Sequence, residues 1–194
     1  MFPGLYDDKR SAQATAYMLY LAGGRLEILK LMKLLYLAER KFYELHGEPL
    51  TGDVPFSMKN GPVLSSIFDR LKKTENLNDT WRTWIIGRSG HEIQLKSAWS
   101  DPCKELGALS KADLEVMDMV WLEFGHCKAQ ELVHYTHDHC AEWSDPGTLS
   151  RKIQPEIFFR ELGMSQTDAQ RQIEHLRQTA QLNQTIQSST HRGV

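Results

Sequence analysis

The sequence lacks the features that mark membrane and secreted proteins. No apolar run approaches the roughly 18–20 residues that a membrane-spanning helix needs. The longest, from Ile28 to Ala38, is interrupted by Lys30 and Lys33. The first ten residues contain an acidic pair and no apolar segment, so we expect no secretory signal.

Cysteine is scarce, and neither sign of charge is in large excess. Three cysteines in 194 residues predict no disulfide framework and favour a reducing cytoplasm. The 23 Lys and Arg residues against 25 Asp and Glu residues leave a formal net charge of −2. The totals therefore give no electrostatic argument for direct binding to nucleic acid. A hydrophobic fraction of 41% and a charged fraction of 25% are typical of a folded globular domain.

Motifs of nucleotide-binding and serine-hydrolase sites are also missing. The chain has no GxxxxGK[ST], no GxGxxG after a predicted strand and no GxSxG, so the common phosphate loops and the nucleophile elbow are excluded. No helix-turn-helix with a basic recognition face stands out, because lysines and glutamates alternate along the longest predicted helix. Without a complete catalytic constellation, we expect a protein that is not an enzyme and that uses no cofactor.

What the sequence does contain is helical periodicity. Apolar residues recur every three or four positions from Lys9 to Ala22 and, more strongly, from Leu26 to His46. This spacing predicts two amphipathic helices, the second at the centre of the core. Ser110 and Asp113 have the spacing of a capping box at the start of another helix. The remaining predicted helices cover Val63–Lys73, 111–124, Lys128–Glu142 and Pro155–Leu162.

The segments between the helices predict turns and one short β insertion. Val54 to Met58 is an extended stretch, and Asn60-Gly61-Pro62 is a sharp turn with Pro62 placed as the first residue of the next helix. Trp81–Arg88 and Glu92–Lys96 predict two strands joined at Ser89-Gly90. The expected fold is therefore mainly α: a compact helical domain with a short β-hairpin insertion and a polar C-terminal helical tail.

The C-terminal thirty residues differ in composition from the rest. Seven glutamines lie between Gln166 and Gln187, with few apolar residues among them. This composition predicts a polar, frayed helix followed by a disordered end from Ser188 to Val194. We therefore divide the chain into a helical domain, residues 1–163, and a polar extension, residues 164–194.

The densest cluster of reactive side chains comprises His126, Cys127, His134, His137, His139 and Cys140. Imidazole and thiolate groups suit zinc, but the spacing fits no standard zinc motif. We favour burial of His137 and Cys140 on a helix face, with no metal bound. The alternative is a metal-dependent hydrolase or a metal-binding regulatory protein that uses this cluster.

A cysteine nucleophile is a further alternative, because Cys103, Cys127 and Cys140 could each meet a histidine. Nothing in the sequence identifies a cysteine with a lowered pKa. Free cysteines are among the most buried residue types. We therefore interpret all three as packing residues.

Two further features suggest a binding role. Lys59-Asn60-Gly61-Pro62-Val63 places a cation, an amide and a rigid turn before a predicted helix, where backbone amides can hold an anion. An architectural turn explains the same residues. Four tryptophans also lie outside the helical periodicity, and exposed tryptophans commonly anchor partners. They are Trp81, Trp84, Trp99 and Trp143.

In their order along the chain, several of these segments resemble the Panacea domain, the SocA-like antitoxin family of bacteria and phages. The resemblance starts with Lys30-Leu-Met-Lys33-Leu-Leu-Tyr36-Leu-Ala, Tyr43-Glu-Leu-His-Gly47-Glu-Pro-Leu50 and Lys59-Asn60-Gly61-Pro62-Val63. It continues through Leu109-Ser110, Phe124-Gly125, Glu131-Leu132, Thr136-His137 and Trp143, and so spans residues 10 to 145. Two features depart from the family: Met58-Lys59-Asn60 stands where it often has a tryptophan, and the tail from Gln166 lies outside the domain.

The resemblance implies a helical domain that neutralises a cognate protein toxin by direct binding, with no bond made or broken. Some relatives look like adaptors that deliver a toxin to a protease, and a loose tail suits such a handover. We predict partner contacts at Lys33, Tyr36, Lys59, Asn60, Trp81 and Trp84, and structural roles for Gly61, Pro62, His137 and Trp143. A purely architectural role for all of these residues is an equally supported alternative.

Overall fold

The computed structural model describes residues 2–97, 99 and 101–190 and is mainly α-helical. Short 3-10 turns lie at Pro3–Leu5 and Thr74–Asn76. The helices are α1 Asp8–Leu21, α2 Ile28–His46, α3 Ser65–Lys72, α4 Asp79–Arg82, α5 Pro102–Glu105, α6 Lys111–Phe124, α7 Ala129–His139, α8 Pro155–Glu161 and α9 Gln166–Thr190. Across these residues, no helix is both long enough and apolar enough to cross a lipid bilayer.

Short strands form two antiparallel three-stranded sheets. They are β1 Arg25–Glu27, β2 Pro55–Met58, β3 Gly61–Leu64, β4 Ile85–Ser89, β5 Glu92–Leu95 and β6 Arg151–Lys152. One sheet has the strand order β1-β5-β4 and the other β3-β2-β6. In the second sheet Met58 pairs with Gly61, so β2 and β3 form a tight hairpin. We call its two connecting residues, Lys59 and Asn60, the hairpin loop.

Helix α2 lies at the centre of the core, as its periodicity predicts. Every residue from Leu31 to Glu39 is buried, because α1, α6, α7 and strand β3 cover the helix from different sides. The predicted capping box at the start of α6 is also confirmed. Ser110 Oγ accepts from the Asp113 backbone N–H, and the Asp113 carboxylate accepts from the Ser110 N–H at 2.6 Å.

The structure corrects the position predicted for Pro62. This residue lies in β3 opposite Ser57, and α3 begins three residues later, at Ser65. Proline is tolerated in β3 because β3 is at the edge of its sheet. Asp53 supplies the missing helix cap, since its carboxylate accepts from the backbone N–H groups of Ser66 and Ile67 at 3.0 and 2.9 Å.

The predicted hairpin insertion also starts later than its sequence suggests. Trp81 lies in α4, which Asn78 caps through its side chain, and the strand begins at Ile85. The third strand of this sheet, Arg25–Glu27, occupies the predicted start of the second helix, which therefore begins at Ile28. At the other end of the core, α7 stops at His139 rather than Glu142.

The C-terminal extension is a helix that is attached to the rest of the chain. Its buried residues, Ala169, Ile173, Leu176 and Ala180, recur every three or four positions and face α8 and the Pro3–Leu5 turn. The helix continues through Ser188 to Thr190, so the disordered end predicted from Ser188 is wrong for these residues. Residues 191–194 lie outside the described residues.

Candidate functional site

Several residues that carry the family resemblance, among them Lys33, Gly61 and Thr136, meet at one buried place. Strand β3, α2 and the segment from Thr136 to Trp143 converge there, and we call this meeting point the buried junction. Lys33 Nζ on α2 donates to the carbonyl oxygen of Pro62 at 2.7 Å. Gly61 has φ +88°, and a Cβ atom there would lie 2.7 Å from Thr136 Oγ1 and 3.0 Å from Lys33 Nζ. A side chain at position 61 would therefore disturb both neighbouring helices.

Lys33 places an ionisable amine in the buried junction. Its side chain is fully buried, and none of the ion pairs among the described residues involves it. Burial lowers the pKa of Lys33 to about 7, while the nearby Cys140 opposes this shift. The hydrogen bond to Pro62 is thus the polar contact that fixes the ammonium beside the hairpin.

A second polar contact ties α2 to the chain beyond α7. The Tyr36 hydroxyl and Arg40 Nε both donate to Oε1 of Glu142, the latter at 2.8 Å, and Arg40 also donates to the carbonyl oxygen of Glu161 at 3.2 Å. The Glu142 side chain is completely buried. Burial, together with the adjacent Glu142 carboxylate, raises the pKa of Tyr36 well above its ordinary value. These bonds fix the path of the chain between α7 and α8.

The aromatic rings of His137 and Trp143 close the buried junction on the hairpin side. They stack with ring centroids 3.8 Å apart, and Trp143 Nε1 donates to the carbonyl oxygen of Met58 at 2.9 Å. Burial and the charge on Lys33 lower the pKa of His137. Met58 immediately precedes the hairpin loop, so this hydrogen bond helps to set the position of the loop.

The six predicted partner contacts differ sharply in exposure. Lys59 and Asn60 in the hairpin loop are exposed. Lys33, Tyr36 and Trp81 are at most 1% exposed, so a partner at the surface would not touch them in this structure. Any effect of these three residues on binding would act through the groups that they hold in place.

Trp84 and Trp81 have different environments although they are close in sequence. Trp84 is half-buried, and its ring meets that of Trp99 edge-on at 5.5 Å. Trp99 in turn stacks on Tyr20 at 5.4 Å, which leaves a partly exposed aromatic cluster. Trp81 instead points inward, and its Nε1 donates to Asp8 at 2.9 Å.

A cavity of about 330 Å³ opens beside the hairpin loop; we call it the loop cavity. Its apolar lining consists of Ile28, Leu29, Met32, Met58, Val63 and Phe68. Polar and charged lining residues are Glu27, Lys33, Lys59, Asn60 and His91. Sequence reasoning found the loop but missed these walls, because they come from α2, α3 and the β4–β5 turn. The turn is held against α2 by a hydrogen bond from the Ile28 N–H to the His91 carbonyl oxygen at 2.8 Å.

The histidines and cysteines considered for zinc have separate surroundings. His137 stacks on Trp143, whereas His139 stacks on Tyr135 and lies 3.1 Å from its carbonyl oxygen. In the part of the chain that the structure describes, no three His, Cys, Asp or Glu side chains form a group that could hold a metal ion. The metal-dependent alternative thus lacks a converged ligand set there.

The structure also bears on the cysteine nucleophile. Burial raises the pKa of the Cys140 thiol to about 12, and the Glu142 carboxylate adds to the shift. Cys140 is therefore a protonated packing residue at neutral pH. Cys127 Sγ lies 3.7 Å from His126 Nε2, and the side chain of Cys103 lies outside the described residues.

Comparison with known proteins gives one family. The model of the family described as antitoxin SocA-like, Panacea domain, matches residues 31–144, which is more than half of the chain. The matched range begins in α2 and ends just after Trp143, so it contains the buried junction and the hairpin loop. No curated protein and no solved structure gives a significant match. The chain belongs to the SocA-like antitoxin family, as a member that carries the Panacea domain.

Proposed function

We propose that this protein neutralises a cognate protein toxin in the cytoplasm by binding it directly, without catalysing a reaction. Membership of an antitoxin family over residues 31–144 carries the proposal. In a mechanism of this kind, a preformed surface covers the part of the toxin that acts on its target. The affinity then depends on a few well-placed anchor residues rather than on total contact area.

The hairpin loop is the surface that best fits this role. Lys59 and Asn60 are exposed, whereas the residues on either side of them are fixed by Trp143 and Lys33. A loop that is already held in one conformation loses little conformational entropy when it binds. The half-buried Trp84 in the aromatic cluster offers a second anchor of the residue type enriched at binding hot spots.

We propose occlusion rather than delivery to a protease as the mechanism. Delivery of a toxin to a protease would suit a flexible C-terminal tail, but α9 is packed on the body of the protein through four buried residues. The two mechanisms predict different fates for the toxin. Occlusion leaves the amount of toxin unchanged in neutralised cells, whereas delivery to a protease lowers it.

The test is a growth-rescue experiment with a biochemical counterpart. Each gene that neighbours this one is expressed alone to find a product that stops growth, and the protein is then co-expressed with it. We expect growth to be restored and a near-stoichiometric complex to be recovered on a tagged chain, with the toxin still abundant. Failure to rescue growth from any toxic neighbour, together with an empty capture from the native host, would refute the proposal.

A further inference from the structure

We propose that the loop cavity receives a polypeptide segment in which a carboxylate lies next to a large apolar side chain. The inference rests on the proposed function, because the segment would belong to the toxin. It goes further by stating the chemistry that the toxin must present. Two independent properties of the cavity support it: the apolar character of its walls and the sign of the charge around it.

The walls define the apolar part of the segment. Ile28, Leu29, Met58 and Phe68 are each only partly buried and face a common space. A volume of about 330 Å³ is at the lower end of the range of ligand pockets, which is roughly 300–1,000 Å³. One large apolar side chain with the adjoining backbone fits such a space, and its burial would cover wall surface that is now exposed to water.

The charges define the polar part. Lys59 is an exposed residue of the cavity lining. Among the described residues, no salt bridge neutralises Lys59. A carboxylate of the partner would therefore meet an excess of positive charge.

Lys33 adds to this bias only in its protonated form. It lines the cavity but is completely covered, so its charge acts on an occupant through the intervening atoms, and with its pKa lowered to about 7 by burial the neutral amine is also populated near neutral pH. Charges interact more strongly across protein interior than across water. Glu27 is the acidic residue of the lining. Its carboxylate interacts with Lys30, where it partly offsets the lowering of the lysine pKa by burial, so the negative charge of Glu27 is balanced by that lysine.

The test uses an array of immobilised hexapeptides and the full-length protein. Each peptide carries one central Leu, Met or Phe, flanked by Glu, by Lys or by Gln. We expect the wild-type protein to be retained at least ten-fold more strongly on the Glu-flanked peptides than on their Lys-flanked counterparts. Equal retention on the three sets, or no retention on any of them, would overturn the inference.

Two pairs of variants locate the binding. Leu29→Trp fills the cavity, and Leu45→Trp makes the same change at an exposed position on the same helix. Lys59→Glu reverses the charge of a lining lysine, and Lys111→Glu does so at an exposed lysine of α6, a helix that contributes no residue to the cavity lining. We expect Leu29→Trp to abolish retention and Lys59→Glu to remove the preference for Glu, with both controls unchanged. Indistinguishable behaviour of test and control variants would place any binding elsewhere and refute the inference.

This experiment separates the inference from the proposed function. The array needs no toxin, so selective retention that disappears in Leu29→Trp supports the cavity assignment even if growth rescue fails. Conversely, rescue by the Leu29→Trp and Lys59→Glu variants at wild-type strength would leave neutralisation intact and reject the loop cavity as its docking site.

Discussion

The buried junction and helix α9 are attached to the protein in opposite ways. The junction is held by buried polar contacts: Lys33 on Pro62, and Tyr36 and the partly exposed Arg40 on the buried Glu142. Helix α9 is held by a narrow apolar stripe and by polar contacts nearer the surface, such as Gln172 to the carbonyl oxygen of Gly47. Buried polar contacts fix one geometry because few alternatives satisfy them, whereas a narrow apolar stripe can separate at lower cost.

The difference shows what the family motif encodes. Its most recognisable residues include Lys33, Tyr36 and Gly61, which are buried. Lys33 and Gly61 meet at the base of the exposed hairpin loop, and Tyr36 holds Glu142 beyond α7. The extension, outside the matched residues 31–144, adds a covering helix without contributing to that arrangement. We therefore expect substitutions in the junction to affect the whole fold and substitutions in α9 to act locally.

The largest loss of stability is expected when a charged side chain of the junction is removed. Arg40→Met removes the cation beside the fully buried Glu142 side chain and should lower the free energy of unfolding by about 3–5 kcal/mol, because an uncompensated buried charge remains. Lys41→Met is the matched control, since Lys41 pairs with Glu44 at the surface and such pairs contribute about 1 kcal/mol or less. Urea denaturation of both variants measures the contrast; equal losses would show that Glu142 is not isolated from water.

A smaller loss is expected where the hairpin enters the junction. Gly61→Ala places a Cβ atom against Thr136 and Lys33 at a positive φ, and should cost about 2–4 kcal/mol in unfolding free energy. Gly90→Ala, at φ +61° with open space around it, carries only the conformational cost of about 1–2 kcal/mol. If the two variants have the same stability, the close approach at Gly61 is not a constraint.

For α9 the expected effect is local. Leu176 is fully buried, and Leu176→Ala should reduce the free energy of docking of α9 by about 2 kcal/mol, at the low end for such a truncation because few elements surround it. Amide hydrogen exchange should accelerate throughout α9 while protection in α2 stays constant. Leu182→Ala, at a position that is 64% exposed, should change neither. Faster exchange in α2 as well would mean that α9 and the core form one cooperative unit.

The subtlest effect concerns pH. The pKa of Lys33 is about 7 in the folded protein and 10.5 ordinarily, so between these values the unfolded chain binds more protons. The contribution of Lys33 to stability therefore rises as pH increases from 7 to 10.5. Lys33→Met abolishes that contribution. The free energy of unfolding of the wild-type protein should therefore increase relative to that of the variant between pH 7 and 10.5. Parallel stability curves would show that the ammonium is not desolvated.

Local sequence signals predicted the parts of the fold that depend on local interactions. The apolar stripes located α1, α2 and α6 to within two residues at each end, and Ser110 with Asp113 forms the predicted cap. Helix α3 starts two residues after the predicted Val63, because its cap is the distant Asp53 and because pairing with β2 holds Pro62 and Val63 in a strand. In α9 the spacing of Ala169, Ile173, Leu176 and Ala180 was present, but the glutamines around them suggested fraying.

The candidate site shows the same division. The Lys59-Asn60-Gly61 turn was evident in the sequence, whereas the burial of Lys33 and Trp81 depends on elements far away in the chain. The loop cavity joins the first turn of α2, Phe68 of α3 and His91 of the β4–β5 turn. No local pattern indicates that these three segments meet, so the cavity was not predictable from one sequence.

The role of the hairpin loop is tested most directly by hydrogen–deuterium exchange on this protein, free and in complex with the toxin identified by growth rescue. We predict that binding slows exchange at Met58 to Gly61 and in the first turn of α2, while exchange in α9 remains unchanged. A footprint confined to α9 or to the exposed face of α6, with the hairpin loop unaffected, would contradict the claim that the buried junction exists to present this loop to a partner.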